Sequence, residues 1–351
     1  MAERVTIFEV ARRAGVSASS VSRTLDDKPG VSPANRQRVM AAVEHLGYVP
    51  NGSARGLATN RHGVIGLLFP DIGDQSAEVG HEVLLYADQV IRGAERTAQD
   101  AGYAVLVAGT RGPDTSGMVR AITGKVDGLV VLARSIPPGE LEALAGRVRV
   151  VVLAARRRAP RADLVAADNE AGAYAATEHL LKVHGYRDVI FAGGPLGSPD
   201  SQARFAGFRR AMQTAGLPTP SRPSVYDDFS EAGGTRIASQ LLRKSTLPRA
   251  IVVANDQMAV GLASALAVKV AVPGDVALTG FDDIQLSRFS SPPLTTVHQP
   301  MRELGARSVS LLLDRIDGAT RGAPRTVMLP TTLVVRESCG CPSAGRGSVT
   351  P

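Results

Sequence analysis

The chain has 351 residues, enough for two or three domains that each bury a core, so a single small fold is excluded. Apolar residues make up 44% of it and charged residues 21%, an ordinary globular balance, and no run of eighteen apolar residues exists to span a bilayer. The formal charge is +7, and nine basic against five acidic residues place +4 of that in residues 1–62, which is the footprint of a polyanion partner at that end.

The first elements read as three short helices around one small core. Thr6 and Glu9 have capping-box spacing, so a helix starts at Thr6, buries Val10, Ala11 and Ala14, and turns at Gly15. Ser17 caps a second helix to Leu25, with Val21 and Leu25 inward and Ala18, Ser19, Ser22 and Arg23 outward. Small, hydroxylated and basic residues on one face suit a major groove, where Arg pairs with guanine and hydroxyls reach base edges or phosphates. Ser32 and Pro33 open a third helix, Val39, Val43 and Leu46 form its stripe, and Gly47 closes it.

The segments VTIFEVARRAGVS, SSVSRTL, PGVS and LGYVPN, in this order, resemble the headpiece of the lac-repressor family of bacterial transcription regulators. The resemblance implies that Ala18, Ser19 and Arg23 read bases and that Thr6, Ser17, Ser20, Ser22 and Ser32 bind phosphates. Asp26 departs from the family's usual Asn; with Asp27 it would repel phosphate unless the two carboxylates cap or pair locally. The headpiece is expected over residues 1–50 and a hinge over 51–61, in which Leu57 matches the family's minor-groove wedge. Gly52 and Gly56 replace better helix formers, each costing roughly 1 kcal/mol of helix propensity, so hinge folding is expected to be easy to switch off.

From Gly63 onward, seven short β-rich runs alternate with helical segments: GVIGLLF, YAVLVA, VDGLVVL, VRVVVLAA, RDVIFAGG, AIVVAND and VALTGF. The pattern predicts an α/β core of two doubly wound parallel-sheet lobes over residues 62–340, with a cleft at the carboxyl ends of the strands and a disordered tail at 341–351. The core resembles the periplasmic sugar-binding proteins. That resemblance implies effector contacts from Asp282 in LTGFDDI, Asn255 in VVANDQ, Arg204 in DSQARFAGF and Phe229 in YDDFSE, with Asp71 a weaker candidate because the segment after it departs from the family pattern. Asp282 and Asn255 have an alternative as helix caps, Arg204 as a solvated helix residue and Phe229 as core packing.

No cofactor is expected, because GGPLG is not a dinucleotide fingerprint and no phosphate-binding loop occurs. No metal is expected either: Cys339-Gly-Cys341 lacks a second ligand pair and its single intervening residue is poor zinc spacing. The sequence has no export leader, so the cytoplasm is the expected compartment, and no leucine heptads follow Ser338 to make a tetramer.

The expected function is therefore a homodimeric repressor on palindromic operator DNA, controlled by a small effector, a sugar first, with a nucleobase or other non-sugar metabolite, or action without a small effector, as the alternative. A sugar-active enzyme is disfavoured because the neighbouring Asp282 and Asp283 would point apart, and an exported binding protein leaves the headpiece unexplained.

Overall fold

The computed structural model describes residues 5–48, 61–70, 84–110, 115–155, 159–320 and 322–342. It divides into two compact units, the first ending at Gly63 and the second beginning at Val64. Residues 51–60 of the expected hinge, with Gly52 and Gly56, and most of the expected tail lie outside the described residues.

In the first unit, α1 (Ile7–Ala14), α2 (Ala18–Leu25) and α3 (Pro33–Leu46) begin where the caps predict. Thr6 accepts from the Glu9 amide and the Glu9 carboxylate accepts from the Thr6 amide at 2.7 Å, completing the capping box. Gly15 and Gly47 end α1 and α3 in the left-handed region, at φ 65° and 59°, where a side chain would be strained. Val10, Val21 and Val39 are fully buried with Ala11, Ala14 and Ala42 around them, while Ala18 and Leu25 sit at the edge of that core. Thr24, not anticipated, takes a buried place in α2, its hydroxyl satisfied by the Ser20 carbonyl at 2.8 Å.

The second unit has two lobes. The first contains β1 (Val64–Pro70), α4 (Leu84–Asp100), β2 (Ala104–Thr110), α5 (Thr115–Thr123), β3 (Gly128–Leu132), α6 (Pro138–Ala145), β4 (Arg149–Leu153) and β5 (Asp163–Ala167). It also takes α12 (Met301–Ile316) and β11 (Thr326–Leu329) from the far end of the chain. Its parallel sheet runs β11-β5-β4-β3-β1-β2, and the all-buried β3 and β5 show why such runs are continuously apolar: helices cover both faces.

The second lobe holds α7 (Asn169–Lys182), β6 (Val189–Gly193), α8 (Pro199–Thr214), β7 (Val225–Tyr226), α9 (Glu231–Leu241), β8 (Ala250–Val253), α10 (Asp256–Leu266), β9 (Ala277–Thr279) and α11 (Gln285–Phe289). Its four strands pair in parallel in the order β7-β6-β8-β9, and β10 (Thr296–His298) pairs antiparallel with β12 (Thr332–Val334) beside them. The chain thus crosses between lobes after β5, after β10 and after β11. All seven anticipated strands form. The anticipated set lacked β5, whose run opens on the charged Asp163, β7, β10 and β12, which have two or three residues, and β11, whose alternation edge strands share with loops.

Helix packing sets the backbone that carries the cleft. A side chain at Gly234 on α9 would meet the Met258 carbonyl of α10 at 2.1 Å, and one at Gly261 would meet the Glu231 carbonyl at 2.0 Å, so both positions require a bare backbone. The close pair holds the start of α10, where Asn255 sits, against the start of α9 beside Phe229.

Candidate functional sites in the headpiece and the cleft

On the headpiece, the hydroxyls of the second helix form a connected set. The Ser17 Oγ lies 2.8 Å from that of Ser19 and 2.9 Å from that of Ser20, and accepts from the Ser20 amide. Ser19 and Arg23 are exposed, Ser20 and Ser22 half-buried, and Thr6 and Ser32 stand exposed at the starts of α1 and α3. Arg23 is not loose: its Nε donates to the Pro29 carbonyl at 3.1 Å, which lays the guanidinium along Gly30.

The two carboxylates after the helix are matched locally, as the alternative to repulsion required. Asp26 pairs with Lys28 at 3.2 Å and Asp27 with Arg36 at 2.6 Å. Arg36 also donates to the Lys28 carbonyl at 2.9 Å and so straps the turn to α3. Leu57 lies outside the described residues.

In the second unit a cleft of about 230 Å³ opens at the carboxyl ends of strands from both lobes, where α/β folds place ligands. Phe69, Tyr86 and Arg134 line it from the first lobe, and Asp200, Arg204, Asp228, Phe229, Asn255, Gln257 and Asp282 from the second. Four of the five sequence candidates therefore meet in one place; Asp71 lies outside the described residues.

Arg204 is no solvated helix residue. It is 4% exposed, donates through Nε to Asn169 Oδ1 at 2.8 Å and through Nη1 to the Ala254 carbonyl at 2.5 Å, and pairs through Nη2 with Asp282 at 3.2 Å. Its guanidinium also stands 3.8 Å from the centroid of the Phe281 ring.

Asp282 occupies the left-handed region at φ 115° and accepts from the Gln299 amide as well. Burial pushes its carboxyl up to about 6, against the pull of Arg204 and Gln299. Asn169 extends the network by donating to Asp200 at 2.9 Å, and burial raises the Asp200 carboxyl too.

Asn255 caps α10 by accepting from the Met258 amide at 3.1 Å, and its Nδ2 donates to the Phe229 carbonyl at 2.9 Å. Asn255 thus caps α10 and fixes Phe229 at φ 76° while also lining the cleft. The Phe229 ring fills the space over Gly194, where a Cβ would come within 2.1 Å of it, and faces Arg134 of the other lobe at 5.5 Å.

Asp283 turns the other way, onto Arg336, His298 at 3.2 Å and Arg288 at 3.5 Å. The two neighbouring carboxylates do not flank one point. Sequence reading missed Asp200, Tyr86, Arg134, Gln257, Asn169 and Gln299. Only Asp200 carried a local signal, as an acid in the first turn of a Ser-Pro-opened helix.

Residues 6–51 match the model for bacterial regulatory proteins of the lacI family, and residues 177–339 match a periplasmic binding protein-like domain. The ribose operon repressor of Escherichia coli is 33% identical over 331 residues, which cover 93% of this chain and 97% of that protein. The transcriptional repressor PurR of Vibrio parahaemolyticus is 34% identical over 318 residues, covering 89% of this chain and 92% of that one. Among solved structures, the lac repressor dimer bound to operator and the anti-inducer ONPF superposes with a TM-score of 0.83 at 27% identity, covering 96% of this chain and 99% of that chain.

Proposed function

The chain belongs to the lacI family of bacterial regulatory proteins, a DNA-binding transcriptional regulator by that membership, and we propose that it is a repressor whose operator affinity is set by a sugar bound in the cleft. The observation that carries the sugar is the buried pair of Arg204 and Asp282 in the same cleft as the Phe229 ring. A sugar presents adjacent hydroxyls, which donate to a carboxylate and accept from a guanidinium, and a CH face that lies on an aromatic ring.

On the headpiece we assign base reading to Ala18, Ser19 and Arg23, and phosphate contacts to Thr6, Ser17, Ser20, Ser22 and Ser32. Leu57 is assigned the minor-groove wedge on the family pattern alone. A single headpiece covers too little of a duplex to hold it tightly, so two copies act on a palindromic operator. The cleft is assigned to binding and not to catalysis, because Asp282 and Asp283 face opposite surroundings.

Control then follows from linkage. An effector that touches Tyr86 and Arg134 on one lobe and Arg204 and Asp282 on the other favours one lobe spacing. Operator affinity changes by the ratio of effector affinities for the two states, and the sign follows from which state binds DNA. Thermal-shift measurements on the purified protein against pentoses, hexoses, disaccharides and nucleobases test the assignment. A sugar is expected to raise the melting temperature; a purine that does so while every sugar is inert overturns it.

A further inference from the structure

The expectation that Cys339-Gly-Cys341 lacks partners does not survive folding. His179, in the last turn of α7, and His184, just beyond that helix, are brought to the two cysteines, and the four ligand atoms all lie within 4.8 Å of one another. We propose that His179, His184, Cys339 and Cys341 hold a structural zinc ion that fastens the carboxyl-terminal segment to the second lobe.

Three of the six ligand–ligand distances are near those of a tetrahedral zinc site. The His179 Nε2 lies 3.4 Å from Cys339 Sγ and 3.6 Å from Cys341 Sγ, and the His184 Nε2 lies 3.4 Å from Cys341 Sγ. Zinc bonds of about 2.3 Å to sulfur and about 2.0–2.1 Å to nitrogen, at tetrahedral angles, set sulfur and nitrogen about 3.6 Å apart. The two imidazoles meet edge to face, with centroids 5.1 Å apart and planes at 77°, so both Nε2 atoms converge without the rings stacking on each other. Four residues separate the histidines, a spacing that zinc sites use.

The short Cys-Gly-Cys link works here because of Gly340. Its φ of 103° is open to glycine, and a Cβ would stand 2.9 Å from the Tyr186 hydroxyl and 3.4 Å from the His184 ring. Outer partners complete the arrangement. Thr295 Oγ1 lies 3.1 Å from the Cys339 sulfur, Tyr186 stacks on His184 at 5.1 Å, and the Tyr186 hydroxyl donates to the Cys339 carbonyl at 3.2 Å. Two thiolates balance a divalent charge, so the buried Cys339 becomes a neutral assembly when the ion binds. Binding joins α7 to a segment that already pairs with β9 through Leu278 and Ser338 at 2.8 Å.

Cobalt(II) titration of the full-length, thiol-reduced and chelator-treated protein tests the site. One equivalent per chain is expected to bind, with thiolate-to-cobalt charge-transfer absorption and the visible bands of a tetrahedral ion, and zinc should displace it. Cys341→Ser and His184→Ala, both at partly exposed positions, should weaken binding by more than the roughly 10–100-fold that loss of an outer partner costs. Chelation of the zinc form should lower the melting temperature, and added zinc should restore it. A reduced wild-type protein that develops no charge-transfer band overturns the proposal, as does a band that Cys341→Ser leaves unchanged or a melting temperature indifferent to chelation.

Discussion

Arg204 on α8 and Asp282 beyond β9 form an ion pair of 3.2 Å with side chains only 5% and 8% exposed, one partner from each of two chain segments that meet only in the folded lobe. Asp282→Asn keeps the size and removes the charge that two hydroxyls would seek. Effector affinity is expected to fall by roughly 1.5–3 kcal/mol, about ten- to a hundredfold, while operator binding survives. Titrating effector against a preformed operator complex reads this, and an unchanged midpoint would remove Asp282 from the binding site. Arg204→Met should cost stability by roughly 3–5 kcal/mol, because it strands a buried carboxylate, and adding Asp282→Asn should recover most of that loss without restoring effector binding.

The same carboxyl makes effector binding pH-dependent. Burial raises it to about 6, so it is charged at pH 7.5 and mostly protonated at pH 5. An effector that uses the carboxylate competes with the proton. Affinity should therefore fall as pH drops through 6, by about tenfold at pH 5, and Asp282→Asn should abolish that part of the dependence. Calorimetric titrations at the two pH values, on both proteins, measure it.

Gly194→Ala places a methyl group where the Phe229 ring now lies, the two being 2.1 Å apart if neither moved. The ring must shift, and an effector resting on it should lose about 0.5–1.5 kcal/mol, or roughly two- to tenfold in affinity. Equal effector affinity in the variant and the parent would show that Phe229 is wall packing and nothing more.

Arg23→Ala should relax preference at one base pair at a cost of roughly 1–3 kcal/mol, whereas Ser20→Ala should weaken all sites alike. Arg23 must exchange its bond to the Pro29 carbonyl for a base edge, so the measured value should fall toward the lower end of that range. Binding to a small set of operator variants separates the two effects. An Arg23→Ala protein with unaltered preference takes Arg23 off the reading face.

A homodimer is expected, since a two-fold protein matches a two-fold site. Sedimentation at micromolar concentration should give one species of twice the chain mass. A stable monomer or tetramer would contradict the proposed operator geometry.

What could be read before folding was what the chain decides within a few residues of itself. Thr6 with Glu9, Ser17, Ser32 with Pro33, and the glycines at 15 and 47 mark helix ends because caps act between neighbours, and all of them stand where expected. The seven short apolar runs were legible because most of them, such as β1, β3, β4 and β8, are buried on both faces and so must be apolar throughout. Tertiary structure alone decided the rest. It returned α12 and β11 to the first lobe, turned Asp282 to Arg204 and Asp283 to Arg336, and made Asn255 both a cap and the brace of Phe229. It also brought His179 and His184 to cysteines near the far end of the chain. Those relationships join residues distant in sequence, and their energy comes from charges and polar groups removed from water together, which no local pattern records.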